Sequence, residues 1–535
     1  MATTFSEPAP LLAAETPEQE QADMVLVERL PPYLRMSRGA ALLTVFLSLF
    51  FWRLCSRPLF HTDLWGHLAY GRWIWQHGAL PVTEPFLPLA QGVTLVDTSW
   101  LAQLLGFGVF SAAGTAGLQC AMAVCVTGTL ALIAYSLYHR TRRASMACLG
   151  IGIFLWLAIQ QICVGWGEMP TLIRPQVLGV LIYTWIFCRA ASGAPQRWDW
   201  ISIPLATCLW ANLHGSFVMG PLVLVTLSVG RALDLLLRTG SWKAVWRDRR
   251  AVNWFLIAEL SAVAALLNPY GVGLYAEVLT FASNLNLADL LDWEPLTLRS
   301  GQGQAIATVA CLLVILYRLT PRRVSLGEFL LLAGLGAWAL WAGRMLIWFA
   351  IPAAYFAAVQ WNAVARRGKK PAIVPASRTG MWTVVAVGVA WIGFALSPIG
   401  VFAMHRKQLP LKNSVSADTP IGAVEYLLKQ KEPLRGQVFN SYEWGDYLLW
   451  AGPKNLQLFV NSHVHVIPRE VWQSYLTISR TGSNWDDQLD RYGVNYIVVD
   501  HRVLAGLVAQ LKSDERWRLG YEDGIATVFI RKKLI

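Results

Sequence analysis

Eleven apolar runs follow one another along this chain, near 39–57, 117–138, 145–163, 176–190, 200–214, 215–237, 252–267, 303–318, 324–342, 345–362 and 380–403. Hydrocarbon offers the backbone no water to bond, so segments that cross it are confined to helices or closed barrels. The lengths suit helices, although several fall short of the roughly 20 residues that a simple span needs and must draw on their flanks. A polytopic helical bundle of about eleven spans is the expected fold. The composition agrees: 55% of the 535 residues are hydrophobic and only 15% are charged, against about 25% in soluble domains. The 26 tryptophans suit the headgroup level, where amphipathic rings collect.

Residues 99–113, SWLAQLLGFGVFSAA, form a twelfth apolar run, and charge decides how to read it. If it does not cross, one side gathers Arg29/Arg35/Arg38, Arg140/Arg142/Arg143, Arg189/Arg197, Lys243/Arg247/Arg249/Arg250, Arg318/Arg322/Arg323 and Arg366/Arg367/Lys369/Lys370. Cytoplasmic loops carry such an excess of Lys and Arg. If it crosses, the first cluster is separated from all the others. The run is therefore expected to lie in or dip into the outer interface as a helix. The non-cytoplasmic side then receives 57–116, 164–175, the turn near 210–215, 268–302, the turn around Arg344 and everything after about 404. The net charge is +12, of which residues 405–535 carry +3 (17 Lys+Arg against 14 Asp+Glu) and the remainder +9. Topology accounts for that excess without a nucleic-acid partner, which would need a basic patch on a soluble face.

The eight cysteines, at 55, 120, 125, 148, 163, 188, 208 and 311, lie in or beside apolar runs with no CxxC pair, so they read as small buried hydrophobes and not as a disulfide or metal framework. Residues 1–38 are polar and rich in Pro, Glu and Gln, as in a disordered cytoplasmic tail. Residues 39–403 form the membrane part, with the outer loop 57–116. Residues 404–535 change character. Helical patterns at 422–430, 486–493 and 504–512 alternate with strand patterns at 457–466, 495–500 and 525–532, which points to a small α/β domain with its own core.

The candidate chemistry sits at span ends on the outer side. Directly after the first run comes HTDLWGHLAYGRWIWQHGALPVTE (61–84), with Asp63, His67, Arg72 and Glu84 among aromatics. On a helix Asp63 and His67 stand at i, i+4, on one face. A carboxylate there suits a proton acceptor, an orienting group or a metal ligand, and the same pattern also fits an interfacial helix with its polar face in water. Glu84 follows a Pro-containing turn and fits a cap as well as a ligand contact, and Asp97 is a further outer acid. The second outer loop carries Glu168 and Arg174, and Arg174 is placed either for phosphate, which its planar fork matches, or to snorkel to headgroups. Asn212 and His214 interrupt an apolar hairpin in WANLHG, which fits a site or a tight re-entrant turn. Asp292-Trp-Glu294-Pro offers a second carboxylate or a solvated loop. Arg344, among Trp338, Trp341 and Trp348, fits a phosphate contact or a structural salt bridge. Each signal is weak alone; five polar clusters on one side are what an outer-leaflet active site needs.

The order of these pieces resembles the GT-C glycosyltransferase superfamily, and within it a group of bacterial multi-spanning proteins with a C-terminal extracytoplasmic domain. The resemblance rests on DLWGHLAYGRWIWQHGALP (63–81), WLAQLLGF (100–107), IRPQ (173–176), WANLHGSF (210–217), NPYG (268–271), WEP (293–295), GRMLIWF (343–349) and VFNSYEWGDYLLW (438–450). It implies a GT-C-like membrane module in the bacterial inner membrane and a polyprenyl-phosphate sugar donor. It also implies transfer on the non-cytoplasmic face to a lipid, glycan or protein acceptor, with the key acid at Asp63 and phosphate contacts at Arg174 and Arg344. Some members use a divalent metal such as Mg or Mn, for which Glu168 and Glu294 would be the second-rank acids. The sequence departs from the group's pattern at Glu84-Pro-Phe-Leu87 (usually DPFS-like), at Ser99 (often an acid), at Gly445-Asp446-Tyr447 (GGY-like) and at Asn461-Ser462-His463 (an acidic–arginine strand end).

The resulting expectation is an inverting membrane glycosyltransferase with Asp63 and His67 as catalytic residues and Arg72, Glu84, Arg174, Asn212, His214 and Arg344 as substrate contacts. The alternative is a non-catalytic lipid or glycan transporter or an envelope assembly scaffold. A transporter favours ionisable groups in mid-span, of which Asp234 and Glu259 are the examples. The two readings part on whether Asp63, His67, Arg174, His214 and Arg344 converge on one outer cavity.

Overall fold

The computed structural model describes residues 30–163, 171–368, 378–454 and 456–533. Every one of the eleven runs is helical: Arg38–Cys55, the second part of Trp100–Thr141, Ala144–Ile162, Gln176–Ser192, Asp199–Leu213, Met219–Thr239, Arg249–Ala264, Gly301–Leu319, Leu326–Trp341, Leu346–Ala365, and Gly380–Ala395 with Pro398–His405. Among the described residues, six helices are by themselves long and apolar enough to cross a membrane, and the last pair, bent by 77°, makes a seventh if it is one span. The expected eleven spans are thus fewer by length and composition. The runs that fall short, such as Gln176–Ser192 and Leu326–Trp341, are 17 and 16 residues long. The chain is an integral membrane protein with a mainly helical bundle.

The bundle is built around Leu346–Ala365, in which every residue from Leu346 to Gln360 is buried. A helix apolar on all sides belongs in the middle of a bundle, and this one packs on Ala144–Ile162, Gly301–Leu319 and Leu326–Trp341. Of the N-terminal tail, residues 1–29 lie outside the described residues. Its end is ordered, because Met36–Ser37 pairs antiparallel with Arg378–Thr379 and Ser37 caps the first helix through the Ala40 amide.

Residues 100–113 form a helix of their own. The chain breaks at Gly114, whose backbone (φ 58°, ψ −149°) is non-helical inside Trp100–Thr141. An L side chain rarely adopts that φ, so glycine marks the joint. The 100–113 segment packs against the Leu64–His77 helix. A Cβ on Gly71 would lie 2.1 Å from the Gln103 carbonyl oxygen, and backbone cannot move aside as a side chain does. Gly71→Ala is expected to lower the melting temperature in detergent by several degrees, because overpacking costs about 1–3 kcal/mol. An unchanged melting curve would show that the two helices do not need this approach.

The C-terminal part holds a five-stranded mixed sheet in the order Gln457–Leu458, Gln437–Asn440, Val494–Asp500, Ala526–Arg531, Trp517–Glu522. The first three strands are parallel; the last two run antiparallel to their neighbours. Val494–Asp500 is buried along its whole length. Helices Ile421–Leu428, Trp485–Arg491 and Ala505–Ser513 match the sequence patterns. The strand expected over 457–466 is only two residues long, because the chain turns into a short 3-10 helix at Val464–Val466. The core of this part is shared with the outer loop: Leu64, Trp65 and Leu68 are buried together with Val438, Phe439, Trp444 and Leu448. Trp65 lies edge-on to Tyr447 at 5.4 Å. The interface is further held by Asn286, which donates to the Val464 and Ile467 carbonyls, and by the Arg469–Asp289 ion pair at 2.7 Å.

Candidate active site

A cavity of about 580 Å³ opens where the outer loop, the later span ends and the C-terminal part meet. Asp63, His67, Arg174, His214 and Arg344 all line it, drawn from four separate stretches of chain. The convergence on which the enzyme and scaffold readings part is therefore present.

Asp63 is held in an unusual backbone conformation. Its φ of 56° and ψ of −53° place a non-glycine residue at positive φ. The Leu64 amide bonds back to the Thr62 carbonyl across it, which makes a γ-turn. Turns of this hand are rare and strained, and such strain persists where the surroundings fix it. The Asp63 amide donates to Asp446 Oδ2 at 2.9 Å, from 383 residues later. The Asp63 carboxylate accepts from Arg174 Nε, and the same guanidinium reaches Asp292 Oδ2 at 2.9 Å. Burial alone would raise the Asp63 carboxyl, but the neighbouring Arg174, with His67, more than offsets it and holds the group down at about 2. Arg174 is pushed further up by its two carboxylates despite its burial. Burial lowers His67 to about 4, so its ring is neutral at physiological pH.

Arg344 differs from Arg174. Among the described residues it makes no ion pair or hydrogen bond, and its guanidinium lies 4.5 Å over the Trp293 ring. A cation on an aromatic face is stabilised but keeps its donors for another partner. His214 closes the floor, with Nδ1 bonded to Ser216 Oγ at 2.7 Å.

Three of the expected substrate contacts, Arg72, Glu84 and Asn212, and one expected metal acid, Glu294, do not line the cavity. Arg72 stacks 4.3 Å over Trp450 and fastens the outer loop to the C-terminal part. Glu84 is buried and accepts from Tyr70 and from the amides of Phe86 and Leu87, so it caps its own turn. Asn212 bridges the Cys208 and Leu267 carbonyls and accepts from Trp100, which satisfies it within the protein. Glu294 is exposed, and its carbonyl accepts from the Gly343 amide. Glu168 lies outside the described residues. Asp234, the mid-span acid, accepts from the Leu326 amide at 3.1 Å and starts the neighbouring helix. Asp63 and Asp292 both engage Arg174, and among the described residues no three His, Cys, Asp or Glu could hold a metal ion.

The cavity also takes residues that the sequence did not single out for the site. Tyr442, Glu443, Ser462, His463 and His465 come from the C-terminal part. Of the Asn461-Ser462-His463 stretch, Ser462 and His463 line the cavity; His463 stacks on Tyr70 with centroids 4.5 Å apart. Asp446 and Asp97 are buried acids whose carboxyls burial pushes up to about 7. For Asp97, 6% exposed, the folded value stands above the unfolded one of about 3.9. The native state therefore binds the extra proton, and the cost of the buried charge is absent below the unfolded value and complete above the folded one. Asp97→Asn is expected to melt higher than wild type at pH 8, with the gap closing as the pH falls toward 5. A gap independent of pH would mean that Asp97 is not a buried charge.

No protein-family model matches the sequence, and no curated protein matches it. The structure is similar to the crystal structure of ArnT from Cupriavidus metallidurans in the apo state, with a TM-score of 0.52 at 12% sequence identity, over 92% of this chain and 97% of that one. ArnT is a polytopic membrane glycosyltransferase of the GT-C type, and the likeness shows that this chain has a GT-C-like fold.

Proposed function

We propose that the protein is a membrane glycosyltransferase that moves a sugar from a polyprenyl-phosphate donor to an acceptor hydroxyl, with inversion, at this cavity. The observation that carries the reading is Asp63, a carboxylate fixed in a strained turn and ion-paired with Arg174, in one cavity with the unpaired Arg344. The GT-C-like fold supports the same reaction class.

In the resting site Arg174 makes Asp63 a weak base. A donor phosphate competes for that guanidinium, and as Arg174 turns to the phosphate the proton affinity of Asp63 rises toward the range a general base needs. Asp63 then accepts the proton of the acceptor hydroxyl, and neutral His67, one helical turn on, offers a ring nitrogen to the same proton. The acceptor oxygen forms its bond to the anomeric carbon on the face opposite the phosphate. The bond from that carbon to the phosphate oxygen breaks, and its electron pair leaves on the phosphate. Arg174 and Arg344 stabilise the charge that gathers there. On this reading the protein sits in a bacterial inner membrane, with its N-terminus cytoplasmic and the cavity and C-terminal part outside the cytoplasm.

A transporter or scaffold gives no reason for an anion held in a strained turn against a cation. Profiling glycans and lipid-linked sugars in a strain carrying Asp63→Ala tests the reading. One product is expected to disappear or its lipid-linked precursor to accumulate. An unchanged profile with the protein still in the membrane would overturn it.

A further inference from the structure

A second cavity, of about 880 Å³, lies apart from the active site, between the end of the first span and the C-terminal part. Arg53 and Arg57 line it from the span end, Lys412 from the segment after the last span, and Glu425 and Asp523 from the C-terminal part. Arg53 stands in the last turn of Arg38–Cys55, and both Arg53 and Lys412 are exposed. Among the described residues neither makes an ion pair or a hydrogen bond. Asp523 is engaged within its own turn, accepting from Tyr521 Oη and from the Ile525 and Ala526 amides. Three cations therefore face two acids, one of which is already satisfied.

The backbone around these cations is fixed. The Leu59 amide donates to the Ser414 carbonyl, the Ser416 amide to the Leu59 carbonyl, and Gln119 Nε2 to the Arg57 carbonyl. Burial and the neighbouring Arg53 hold the Arg57 guanidinium below its usual range. On the topology read from charge, this end of the span is non-cytoplasmic, the side on which Lys and Arg are scarce. Orientation in the membrane thus gives no reason for them. The segment 405–412, HRKQLPLK, adds Arg406 and Lys407 without an acid, and Leu409 and Leu411 are exposed among its cations. Such a mixture suits a segment lying among lipid headgroups. Along the first span, Leu42, Phe46 and Leu49 are exposed at helical spacing, and Arg53 continues the same stripe.

We propose that this cavity binds the phosphate of an anionic phospholipid from the surrounding bilayer, with Arg53 and Lys412 as its contacts and Arg57 beside them. The phosphate supplies the counter-charge that Arg53 and Lys412 lack. The apolar stripe that ends at Arg53 gives the acyl chains a path down the first span, which favours a lipid over a free anion. The bound headgroup lies between the span and the C-terminal part, and so ties that part to the membrane surface. The site does not depend on the glycosyltransferase reading.

The test titrates the full chain, purified in detergent, with phosphatidylglycerol, phosphatidylethanolamine or inorganic phosphate and reads the bound species by native mass spectrometry. Phosphatidylglycerol is expected to bind at least fivefold more tightly than phosphatidylethanolamine. Arg53→Gln and Lys412→Gln are each expected to weaken it about fivefold, the equivalent of about 1 kcal/mol per cation at an anionic headgroup, and the double variant more than either. Lys431→Gln removes an exposed cation that does not line the cavity, and is expected to bind as wild type does. None of the three side chains has an ion pair or hydrogen bond among the described residues, so melting curves without lipid are expected to match wild type. Phosphatidylglycerol binding equal to wild type in the double variant overturns the site, as does equal affinity for phosphatidylethanolamine. A loss in Lys431→Gln as large as in Arg53→Gln overturns it in favour of diffuse surface charge. Inorganic phosphate that displaces phosphatidylglycerol at millimolar concentration overturns the lipid as the ligand.

Discussion

Asp63→Asn is expected to lower kcat by about 10³-fold, within the 10²–10⁴ that a general base contributes. The substitution conserves shape and keeps the backbone bond to Asp446, so the turn and the cavity remain. It removes the anion that receives the proton and half of the clamp on Arg174, which keeps Asp292 at 2.9 Å. Arg174 then meets a donor phosphate with less competition, and the KM for the lipid donor is expected to stay the same or fall. Loss in kcat without loss of donor affinity separates a base from a tether. A residue that merely positioned Arg174 would change KM and spare kcat. Initial rates in proteoliposomes decide between them, and a kcat within threefold of wild type would rule out Asp63 as the base.

Arg344→Ala is expected to lower kcat/KM for the donor by about 100-fold, the scale seen when one preorganised donor to a developing anion is removed. Its guanidinium is committed to nothing but the Trp293 face among the described residues, so little structure depends on it and the melting temperature is expected to hold. Arg344→Lys restores the charge but not the planar fork or its stacking, and recovers the loss only in part. Full activity in the Lys variant would reduce Arg344 to a point charge; full activity in the Ala variant would remove it from the phosphate site.

The membrane part was legible because hydrocarbon leaves the backbone so few choices, and each of the eleven apolar runs is a helix. The separate status of 99–113 followed from charge placement alone, and Gly114 supplies the joint. Convergence of Asp63, His67, Arg174, His214 and Arg344 was foreseeable in kind, since all lie at span ends on one side. The errors share one cause. Arg72, Glu84 and Asn212 have the right chemistry and the right end of the bundle, but spacing does not reveal whether a polar group meets a ligand or a neighbour. Each of the three meets a neighbour. The contributions of Asp446 and His463 were hidden for another reason. The strands that precede them are four and two residues long, too short for alternation to show, and parallel pairing joins distant segments. Asp97 was visible as an acid, but its burial is a property of packing.

The core shared by Trp65 and the C-terminal sheet fixes when the protein can begin to work. The turn at Asp63 is held by Asp446, whose helix follows a strand pairing with Val494–Asp500, itself flanked by Ala526–Arg531. The first functional segment to be synthesised therefore waits for almost the last. A ribosome-bound or prematurely ended chain carries every span and both arginines, yet its Asp63 turn lacks the Asp446 carboxylate that accepts from the Asp63 amide. Contacts of such long sequence separation form late. On the proposed function, activity thus waits for the C-terminal sheet, and a chain that lacks it has no formed site for a lipid-linked sugar.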